Sequence, residues 1–353
     1  MIEAKKLGIL LNKTTLDFEN AGVLNPATIR EGNTVHLFYR AVSTGNYSSI
    51  GYCRLDGPLT VEQRSAKPIL IPEFDYESHG MEDPRIVKID DLYYLTYTAY
   101  DGVNALGALA VSKDLIHFEK RGLIVPRISY HEFNYLAETT TPLNIKYLRY
   151  NERNRMVEEE GKHVYLWDKN VIFFPRRIQG KLCFLHRIKP DIQIVVSVNE
   201  LQELTDQFWQ TYFHHFNENI LLAPKYEHEA SYVGGGCPPI ETKEGWLLIY
   251  HGVCDTVKGY VYSACAALLD LETPRRELAR LPYPLFQPEY FWELKGEVNN
   301  VCFPTGACVF DDTLYIYYGA ADERIACATL NLPDLLKELM LNTINDEDAS
   351  SHS

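Results

Sequence analysis

The side chains best suited to acid–base chemistry lie in one short stretch, Glu82, Asp83, Pro84 and Arg85. A strand-like run of apolar and aromatic residues follows from Ile86 onward. Because a proline fixes its own φ and disfavours helical backbone in the residue before it, Asp83 is predicted to be extended, at the entrance of a strand. A carboxyl group held there can transfer a proton. The same residues are also compatible with a capped turn that has no catalytic role.

The same construction recurs along the chain, which favours more than a simple turn. Each of five segments has a proline, a short polar or small stretch, a turn, and alternating apolar and aromatic residues, a hairpin signal. The prolines that mark them, Pro26, Pro84, Pro175, Pro239 and Pro304, are 58, 91, 64 and 65 residues apart. Such a period, with one sheet per repeat, is typical of a β-propeller, in which equivalent positions converge at one end of a central channel.

The chain is therefore predicted to be all-β, with a single five-bladed β-propeller over residues 1–345. The longest interval between prolines contains a charge-dense insertion at about residues 127–162, in the region of the second blade. This insertion is interpreted as a solvated decoration, a lid or a subunit contact. Residues 1–24 are expected to complete the last blade. A short C-terminal helix is expected to begin near Leu332, and the polar residues 346–353 are predicted to be disordered.

The net charge of −14 argues against a nucleic-acid-binding protein, which needs a basic face. No apolar run is long enough to span a membrane, and Met1 is not followed by the apolar core of a signal peptide. The eight cysteines contain no Cys-x-x-Cys pair and mostly lie in apolar runs, so free buried thiols are expected. These features favour the cytoplasm, or the periplasm if a leader has been removed.

Several other chemistries lack their residues in this sequence. There is no His-Glu-x-x-His motif and no Gly-x-Ser-x-Gly elbow. His214 and His215 are adjacent, and adjacent residues on a strand point to opposite faces. No metal site and no cofactor are therefore expected.

The strand ends of the five segments supply cations instead. The residues that follow the aromatic of each segment are Arg40, Thr98, Arg187, His251 and Tyr318. Lys169 and Asn170 precede the third segment. An inverting hydrolase needs a second carboxylate to activate water, whereas a phosphate nucleophile needs a cationic site. Lys169, Arg187 and His251 therefore favour a sugar site next to a phosphate.

A longer set of markers resembles the β-mannoside phosphorylases of glycoside hydrolase family 130. The markers occur in the same order as in the family and span residues 25–324. They are Asn25-Pro26, Tyr39-Arg40, residues 82–85, Phe173-Phe174-Pro175, His186-Arg187, and residues 234–240, 250–253, 268–271 and 317–322. The resemblance implies a five-bladed propeller and an inverting enzyme, in which phosphate attacks a terminal β-mannoside and α-mannose 1-phosphate is released.

The resemblance also implies roles for individual residues. Asp83 would be the general acid, acting through the mannose 3-hydroxyl rather than directly on the bridging oxygen. The phosphate-binding set would be Lys169, where the family often has arginine, with Asn170, Arg187, His251 and Tyr262. Sugar contacts would come from Asn25, Arg40, Glu82, Arg85 and Asp322. Phosphate would be the co-substrate and no cofactor would be needed. The partners would be small molecules, with homo-oligomerisation left open.

Two features depart from the family pattern. Tyr232, beside Ser231, stands where a family lysine precedes the glycine-rich turn, so the phosphate site is expected to lack one cation, and the insertion is long. Some relatives have lost the cationic set and hydrolyse β-1,2-mannosides with glutamates. Glu227 and Glu229 are therefore alternative bases if the chain is an inverting β-mannosidase. A non-catalytic carbohydrate-binding propeller is the third hypothesis, disfavoured by Asp83 beside an anion site. The linkage, 1,2 or 1,4, and the acceptor sugar stay open.

Overall fold

The computed structural model describes residues 2–138, 142–150, 163–257 and 259–344. These residues are mostly β-strand with a few short helices, as expected for an all-β chain. The tail at 346–353 and much of the insertion predicted at 127–162 lie outside the described residues. Among the helices that the structure describes, none combines the length and the apolar character needed to cross a membrane.

The strands of the described residues form five antiparallel units, numbered here along the chain. The first strand, β1 (Lys5–Leu11), belongs to the last unit. Unit 1 contains β2 (Gly22–Glu31), β3 (Thr34–Ser43), β4 (Tyr47–Asp56) and β5 (Thr60–Arg64). Unit 2 contains β6 (Gly80–Ile89), β7 (Leu92–Tyr100), β8 (Ala105–Ser112) and β9 (Phe118–Leu123). A single parallel bridge between Ser48 and Gly80 joins these two units.

The other three units repeat this up-and-down order. Unit 3 contains β10 (Lys169–Phe173), β11 (Leu182–Arg187), β12 (Ile192–Val198) and β13 (Ile220–Leu222). Unit 4 contains β14 (Tyr232–Gly235), β15 (Ile240–Glu241), β16 (Trp246–Thr256), β17 (Gly259–Leu269) and β18 (Glu277–Arg280). Unit 5 contains β19 (Cys302–Phe310), β20 (Thr313–Ala320) and β21 (Arg324–Asn331).

The beginning of the chain completes the sheet of unit 5. Strand β1 pairs antiparallel with β21, which is the contribution that the sequence predicts for residues 1–24. The short C-terminal helix also forms, as α5 (Leu332–Met340). Its first turn is capped by the Asn331 side chain, which accepts a hydrogen bond of 3.0 Å from the backbone N–H of Asp334.

Hydrophobic cores lie between successive units, and one of them joins unit 5 back to unit 1. Each of the five cores contains residues of two neighbouring units, namely Phe38 and Leu95, Val87 and Phe184, Leu185 and Trp246, Leu247 and Ile316, and Leu37 and Tyr317. The helices α1 (Tyr130–Ala137) and α3 (Asp206–His214) add to the core between units 2 and 3. Residues 145–150 form α2, and α4 is Phe291–Leu294.

Four units share a buried group made of an acid, a tyrosine and a basic side chain, close to the start of the first strand. The glutamate precedes that strand and accepts a hydrogen bond from a tyrosine of the next strand. The four groups are Glu19–Tyr39–Arg64, Glu77–Tyr97–Lys120, Glu229–Tyr250–Arg280 and Glu293–Tyr318–Lys6. In unit 3 the acid is Asp168 and the tyrosine is replaced by His186, with 2.8 Å between Oδ1 and Nδ1. Each of the four glutamates is paired with a cation and hydrogen-bonded, which the burial of its charge requires.

Bulges in the first strands of units 1, 2 and 3 set up the candidate site. The pairing register shifts within each of these strands, at Asn25, Asp83 and Asn170. The φ angles of these residues are +50°, +49° and +53°. The extended backbone expected for Asp83 is therefore wrong, because the extra residue of the bulge imposes a left-handed turn, which aspartate and asparagine tolerate. Strand β2 contacts β6 and β19, and β10 contacts β6 and β14, so the bulges lie close together.

Candidate active site

A small pocket of about 170 Å³ lies where the five units meet. Larger hollows of about 480 and 360 Å³ lie beside β9 and α3, but their walls combine apolar side chains with exposed charges. The small pocket instead gathers polar side chains from every unit, with acids, cations and amides from four of them and tyrosines from unit 4. Its lining residues are Asn25, Arg40, Asp83, Trp167, Lys169, Asn170, Arg187, Lys189, Tyr232, Tyr262, Val301, Phe303 and Asp322.

Asp83 is the carboxyl group that unit 2 presents to this pocket. Its Oδ1 accepts a hydrogen bond of 2.6 Å from Nδ2 of Asn25 and lies 3.9 Å from Nη1 of Arg40. Burial raises the pKa of Asp83, but the positive charges of Arg40, Lys169 and Arg85 and the bond from Asn25 outweigh it, so the pKa lies below its ordinary value. Asp83 is therefore ionised at neutral pH in the structure as described.

A second acid, Glu82, holds the surrounding cations in place. Its carboxylate pairs with Nη2 of Arg40 at 2.8 Å and with Nζ of Lys169 at 3.5 Å. Arg40 is steadied further by a hydrogen bond of 2.9 Å from its Nε to Oγ of Ser48. Glu82 is thus tied to cations of units 1 and 3 and does not itself line the pocket.

Asp322 is the third acid at the site and titrates differently from Asp83. It lies in the turn between β20 and β21, with φ of +50°. Burial, together with the negative charges of Asp83 and Glu82, raises the pKa of Asp322 to about 6, although Arg40 opposes the rise. The pocket therefore holds two carboxyl groups whose pKa values are driven apart, a pattern typical of acid–base sites.

Unit 3 supplies buried polar atoms that have no hydrogen-bond partner among the residues that the structure describes. They are the donors Nδ2 of Asn170 and Nε of Arg187 and the acceptor Oδ1 of Asn170. The two residues are 3% and 7% exposed. Because buried polar groups in native proteins nearly always have partners, these donors indicate a place for a ligand, and the guanidinium indicates that the ligand is an anion.

The glycine-rich strand β14 allows this arrangement to pack. A Cβ atom on Gly234 would lie 2.4 Å from the ring of His251 and 3.0 Å from Cδ of Arg187. Any side chain at this position would force the His251 ring to move and would press against the side chain of Arg187. Glycine at position 234 is thus needed for close approach between units 3 and 4.

The chain matches the family model described as beta-1,4-mannooligosaccharide phosphorylase, of glycoside hydrolase family 130, over residues 13–340. The chain belongs to glycoside hydrolase family 130. It is 35% identical to a 1,2-beta-oligomannan phosphorylase of Thermoanaerobacter sp. strain X514 over 349 residues, which cover 95% of this chain and 99% of the relative. It is 33% identical to a beta-1,2-mannobiose phosphorylase of the same organism, over 89% and 91% of the two chains.

Solved structures of the family agree with the fold. The beta-1,2-mannobiose phosphorylase of Listeria innocua, in complex with beta-1,2-mannobiose, superimposes with a TM-score of 0.71 at 23% identity. The match covers 96% of this chain and 99% of the Listeria chain. At this identity the likeness concerns the architecture.

Several residues implied by the family resemblance meet in the pocket, and others do not. Those that line it are Asn25, Arg40, Asp83, Lys169, Asn170, Arg187, Tyr262 and Asp322. His251 lies behind Arg187, with 3.3 Å between its Nε2 and the arginine Nη1. Burial and the positive charges of Arg187, Arg85 and Lys189 hold the pKa of His251 well below its ordinary value. The expectation of a cationic His251 is therefore wrong for the protein without phosphate, where the imidazole is neutral.

Arg85 does not line the pocket, contrary to the expected sugar contact. It is 1% exposed, and Nη1 donates hydrogen bonds of 2.9 Å to the carbonyl of Asp83 and 3.0 Å to that of Pro84. Its guanidinium also donates to the carbonyl oxygens of Gly235 and Gly236 in unit 4. Burial lowers the pKa of Arg85 to about 10. Arg85 therefore stabilises the backbone at Asp83 through hydrogen bonds and does not line the pocket.

The two glutamates kept as alternative bases also lie elsewhere. Glu229 is fully buried, and its carboxylate is occupied by Tyr250, by Arg280 and by two backbone N–H groups. Glu227 is exposed in the same turn, and neither glutamate lines the pocket. Glu229 also falls in a cluster with His228 and Cys265 that could in principle hold a metal. Since its oxygens already accept these bonds, the cluster is explained by packing.

The pocket also contains residues that the sequence reasoning did not assign, namely Trp167, Lys189, Val301 and Phe303. Lys189 lies two residues beyond Arg187, and Trp167 two residues before Lys169, so each adjoins an expected cation. Tyr232 was expected to leave the site one cation short. In the structure Nζ of Lys189 lies 4.0 Å from the centroid of the Tyr232 ring, so a positive charge occupies this region from unit 3.

Proposed function

We propose that this chain is a β-mannoside phosphorylase that transfers a terminal mannosyl group to inorganic phosphate and releases α-mannose 1-phosphate. The observation that carries the proposal is one pocket that holds the Asp83 carboxyl group together with donors of Asn170 and Arg187 that no other described residue satisfies. Membership of the family and the phosphorylase names of its relatives support it. The reaction needs phosphate as co-substrate and no metal or cofactor.

The chemistry is an inversion at the anomeric carbon. A phosphate oxygen forms the new bond to C1 while the bond from C1 to the leaving oxygen breaks, and the leaving oxygen takes a proton that originates on Asp83. The proton carried by hydrogen phosphate afterwards restores Asp83, so protons balance over the turnover. Asn25 and Arg40, which contact Asp83, fix the orientation of its carboxyl group.

The low pKa of Asp83 is compatible with a proton donor only if the site changes when phosphate binds. A phosphate dianion beside Lys169 and Arg187 would cancel part of the positive field that keeps Asp83 ionised, and its own charge would repel the carboxylate. Both effects raise the pKa of Asp83. Binding of phosphate would therefore load the general acid with its proton, so that the acid is active only when the nucleophile is present.

We further propose that the five units are the blades of a closed five-bladed propeller that forms a single domain over residues 1–345. The cores between successive units support this arrangement, since one of them joins unit 5 to unit 1. The contacts of β2 with both β6 and β19 support it as well. In a propeller the inner strands surround the axis, which accounts for a site built from all five units.

The first substrate class to test is β-1,2-linked mannobiose and its longer oligomers. Two relatives that align over most of their length are named for β-1,2-mannosides, whereas the family model carries a β-1,4 description. The protein is incubated with β-1,2- or β-1,4-mannobiose, with and without phosphate, and the products are resolved by ³¹P and ¹H NMR. Phosphate-dependent formation of α-mannose 1-phosphate is expected. Free mannose formed at the same rate without phosphate would instead identify an inverting mannosidase.

A further inference from the structure

Lys189 lies in the connection between β11 and β12 and has no role in the chemistry described so far. It lines the same pocket as Lys169 and Arg187. Its side chain is neither fully buried nor fully exposed. All three line one pocket of about 170 Å³, so an anion bound by any one of them would lie close to the other two. Among the described residues, Nε of Arg187 has no hydrogen-bond partner, which places such an anion beside Arg187.

A single aromatic ring positions two of these cations. Nζ of Lys189 lies 4.0 Å from the centroid of the Tyr232 ring, and Cζ of Arg187 lies 5.5 Å from it. Both distances are within the range of cation–π attraction, so the ring holds each cation near the other. Nζ of Lys189 also lies 5.7 Å from the ring of Tyr150, on α2.

The Tyr232 ring is well suited to act as a fixed platform. It is 2% exposed, and its hydroxyl is hydrogen-bonded to the hydroxyl of Tyr262 at 2.5 Å. The ring also packs edge-on against His251 and Tyr260. Burial raises the pKa of Tyr232 well above its ordinary value, so the phenol stays neutral and does not compete with an incoming anion for the two cations.

We propose that Lys189 is a third phosphate-binding cation, which Tyr232 holds beside Arg187 so that the two charges grip one phosphate together. This inference rests on the proposed phosphorylase function and assigns a residue to its phosphate subsite. Phosphate at neutral pH carries between one and two negative charges, and Lys189 and Arg187 together match the dianion. Tyr232 acts as a positioning residue, because its contribution passes through the two cations.

The test compares Lys189→Gln and Lys189→Arg with the wild type. Steady-state kinetics are measured with phosphate as the varied substrate and again with mannobiose varied. Binding of inorganic phosphate alone is measured by isothermal titration calorimetry. Since hydrogen bonds to charged groups are strong, Lys189→Gln should raise the KM for phosphate and its Kd roughly ten- to a hundredfold, and Lys189→Arg should recover most of the loss. The KM for mannobiose should change by less than about twofold, as Lys189 would not touch the sugar.

Two further variants test the platform. Tyr232→Phe keeps the ring, whereas Tyr232→Leu removes it, so Tyr232→Leu should weaken phosphate binding more. Lys113→Gln, which changes an exposed lysine outside the pocket, serves as the control and should behave as the wild type. Thermal melts verify that each variant is folded. If Lys189→Gln does not fold, the phosphate KM and Kd of Lys189→Arg are compared with those of the wild type instead.

The possible outcomes distinguish a failure of the Lys189 assignment from a failure of the proposed phosphorylase function. If wild-type turnover needs phosphate but Lys189→Gln keeps the wild-type phosphate KM and Kd, Lys189 does not bind phosphate and the inference is overturned. A rise confined to the mannobiose KM would also overturn it, because Lys189 would then contact the sugar. Turnover that ignores phosphate in the wild type would instead refute the phosphorylase function, and calorimetry with phosphate alone would still decide whether Lys189 binds the anion.

Discussion

Asn25 donates a hydrogen bond of 2.6 Å from Nδ2 to Oδ1 of Asp83, across 58 residues of sequence. The two residues occupy the same position of the bulge in consecutive units and share a left-handed backbone. One copy of the repeat thus carries the acid and its neighbour carries the amide that orients it. Asn170 holds the equivalent place in unit 3, where its amide has no partner within the described part of the chain. The same bulge therefore presents two amides and one carboxyl group to a single pocket.

The first prediction concerns Asp83→Asn. The amide keeps the shape of the side chain and can still accept from Asn25, but it cannot donate a proton as an acid does. Turnover should fall by roughly 10²–10⁴, the range for loss of general acid catalysis, with the melting temperature little changed. Asp91→Asn, in the exposed turn of the same hairpin, is the control. A loss of less than about tenfold would mean that another group supplies the proton.

The second prediction concerns Arg187→Ala. Removing the guanidinium eliminates charge-assisted hydrogen bonds to phosphate, so the KM for phosphate should rise roughly ten- to a hundredfold. The KM for mannobiose should rise much less. Arg121→Ala, at an exposed arginine of β9, is the matched control. Equal effects on both KM values would show that Arg187 orders the whole site rather than the phosphate subsite.

The third prediction links Asp322 to stability. Its pKa rises from 3.8 to about 6 in the folded protein, mainly through burial. An acid with a higher pKa in the folded state takes up protons on folding, so its ionisation destabilises the fold as pH rises from about 4 to above 6. The shift corresponds to at most about 3 kcal/mol at roughly 1.4 kcal/mol per unit, less for the part of Asp322 that solvent reaches.

Asp322→Asn should therefore be more stable than the wild type at pH 7 and nearly equal to it at pH 4. Scanning calorimetry at both pH values measures the difference, with Asp312→Asn in an exposed turn as the control. A gain that is the same at both pH values would assign the effect to packing rather than to charge. Activity should fall in the variant, since Asp322 lines the pocket.

The fourth prediction separates the two glutamates of one turn. Glu229→Gln removes the charge that Arg280 and Tyr250 share in the interior, although Glu277 still pairs with Arg280 at 2.6 Å. The free energy of unfolding should fall by about 1.5–3 kcal/mol. Glu227→Gln, at an exposed position, should change neither stability nor activity. A large loss of kcat in a fully folded Glu229→Gln or Glu227→Gln variant would restore the hydrolase hypothesis.

Local patterns in the sequence predicted much of the fold. The hairpins were recognisable because strand alternation and turn residues are properties of neighbouring residues. The marker proline lies in the first strand of units 1, 2 and 5, whereas in units 3 and 4 the first strand ends before Pro175 and Pro239, so the predicted proline-led start of these two units was wrong. The strand from the N-terminal residues and the helix beginning at Leu332 were also predicted. The repeated glutamate before the first strand was not recognised, although it recurs in the sequence at Glu19, Glu77, Glu229 and Glu293. Reading those four together would have predicted a structural Glu229.

The site was harder to predict because its energetics depend on contacts between units. The charge of His251 follows from its burial behind Arg187, and Arg85 is explained by carbonyl oxygens of unit 4. Neither neighbour is close in sequence. The backbone of Asp83 was predicted wrongly since the effect of Pro84 is local, whereas the bulge is imposed by pairing with β7. Lys189 was missed because nothing in its neighbourhood marks a lysine that faces a tyrosine of another unit.

The pairing of β1 with β21 has a consequence for synthesis of the chain on the ribosome. Units 1 to 4 can form their hairpins as they emerge, but the sheet of unit 5 needs β1, which is translated first and must wait for β21. Until then, β1 exposes unpaired backbone edges, which can recruit other nascent chains. Completion of this sheet therefore brings together two strands that are far apart in sequence. A circularly permuted gene that begins at β2 and places β1 directly after β21 would remove this wait.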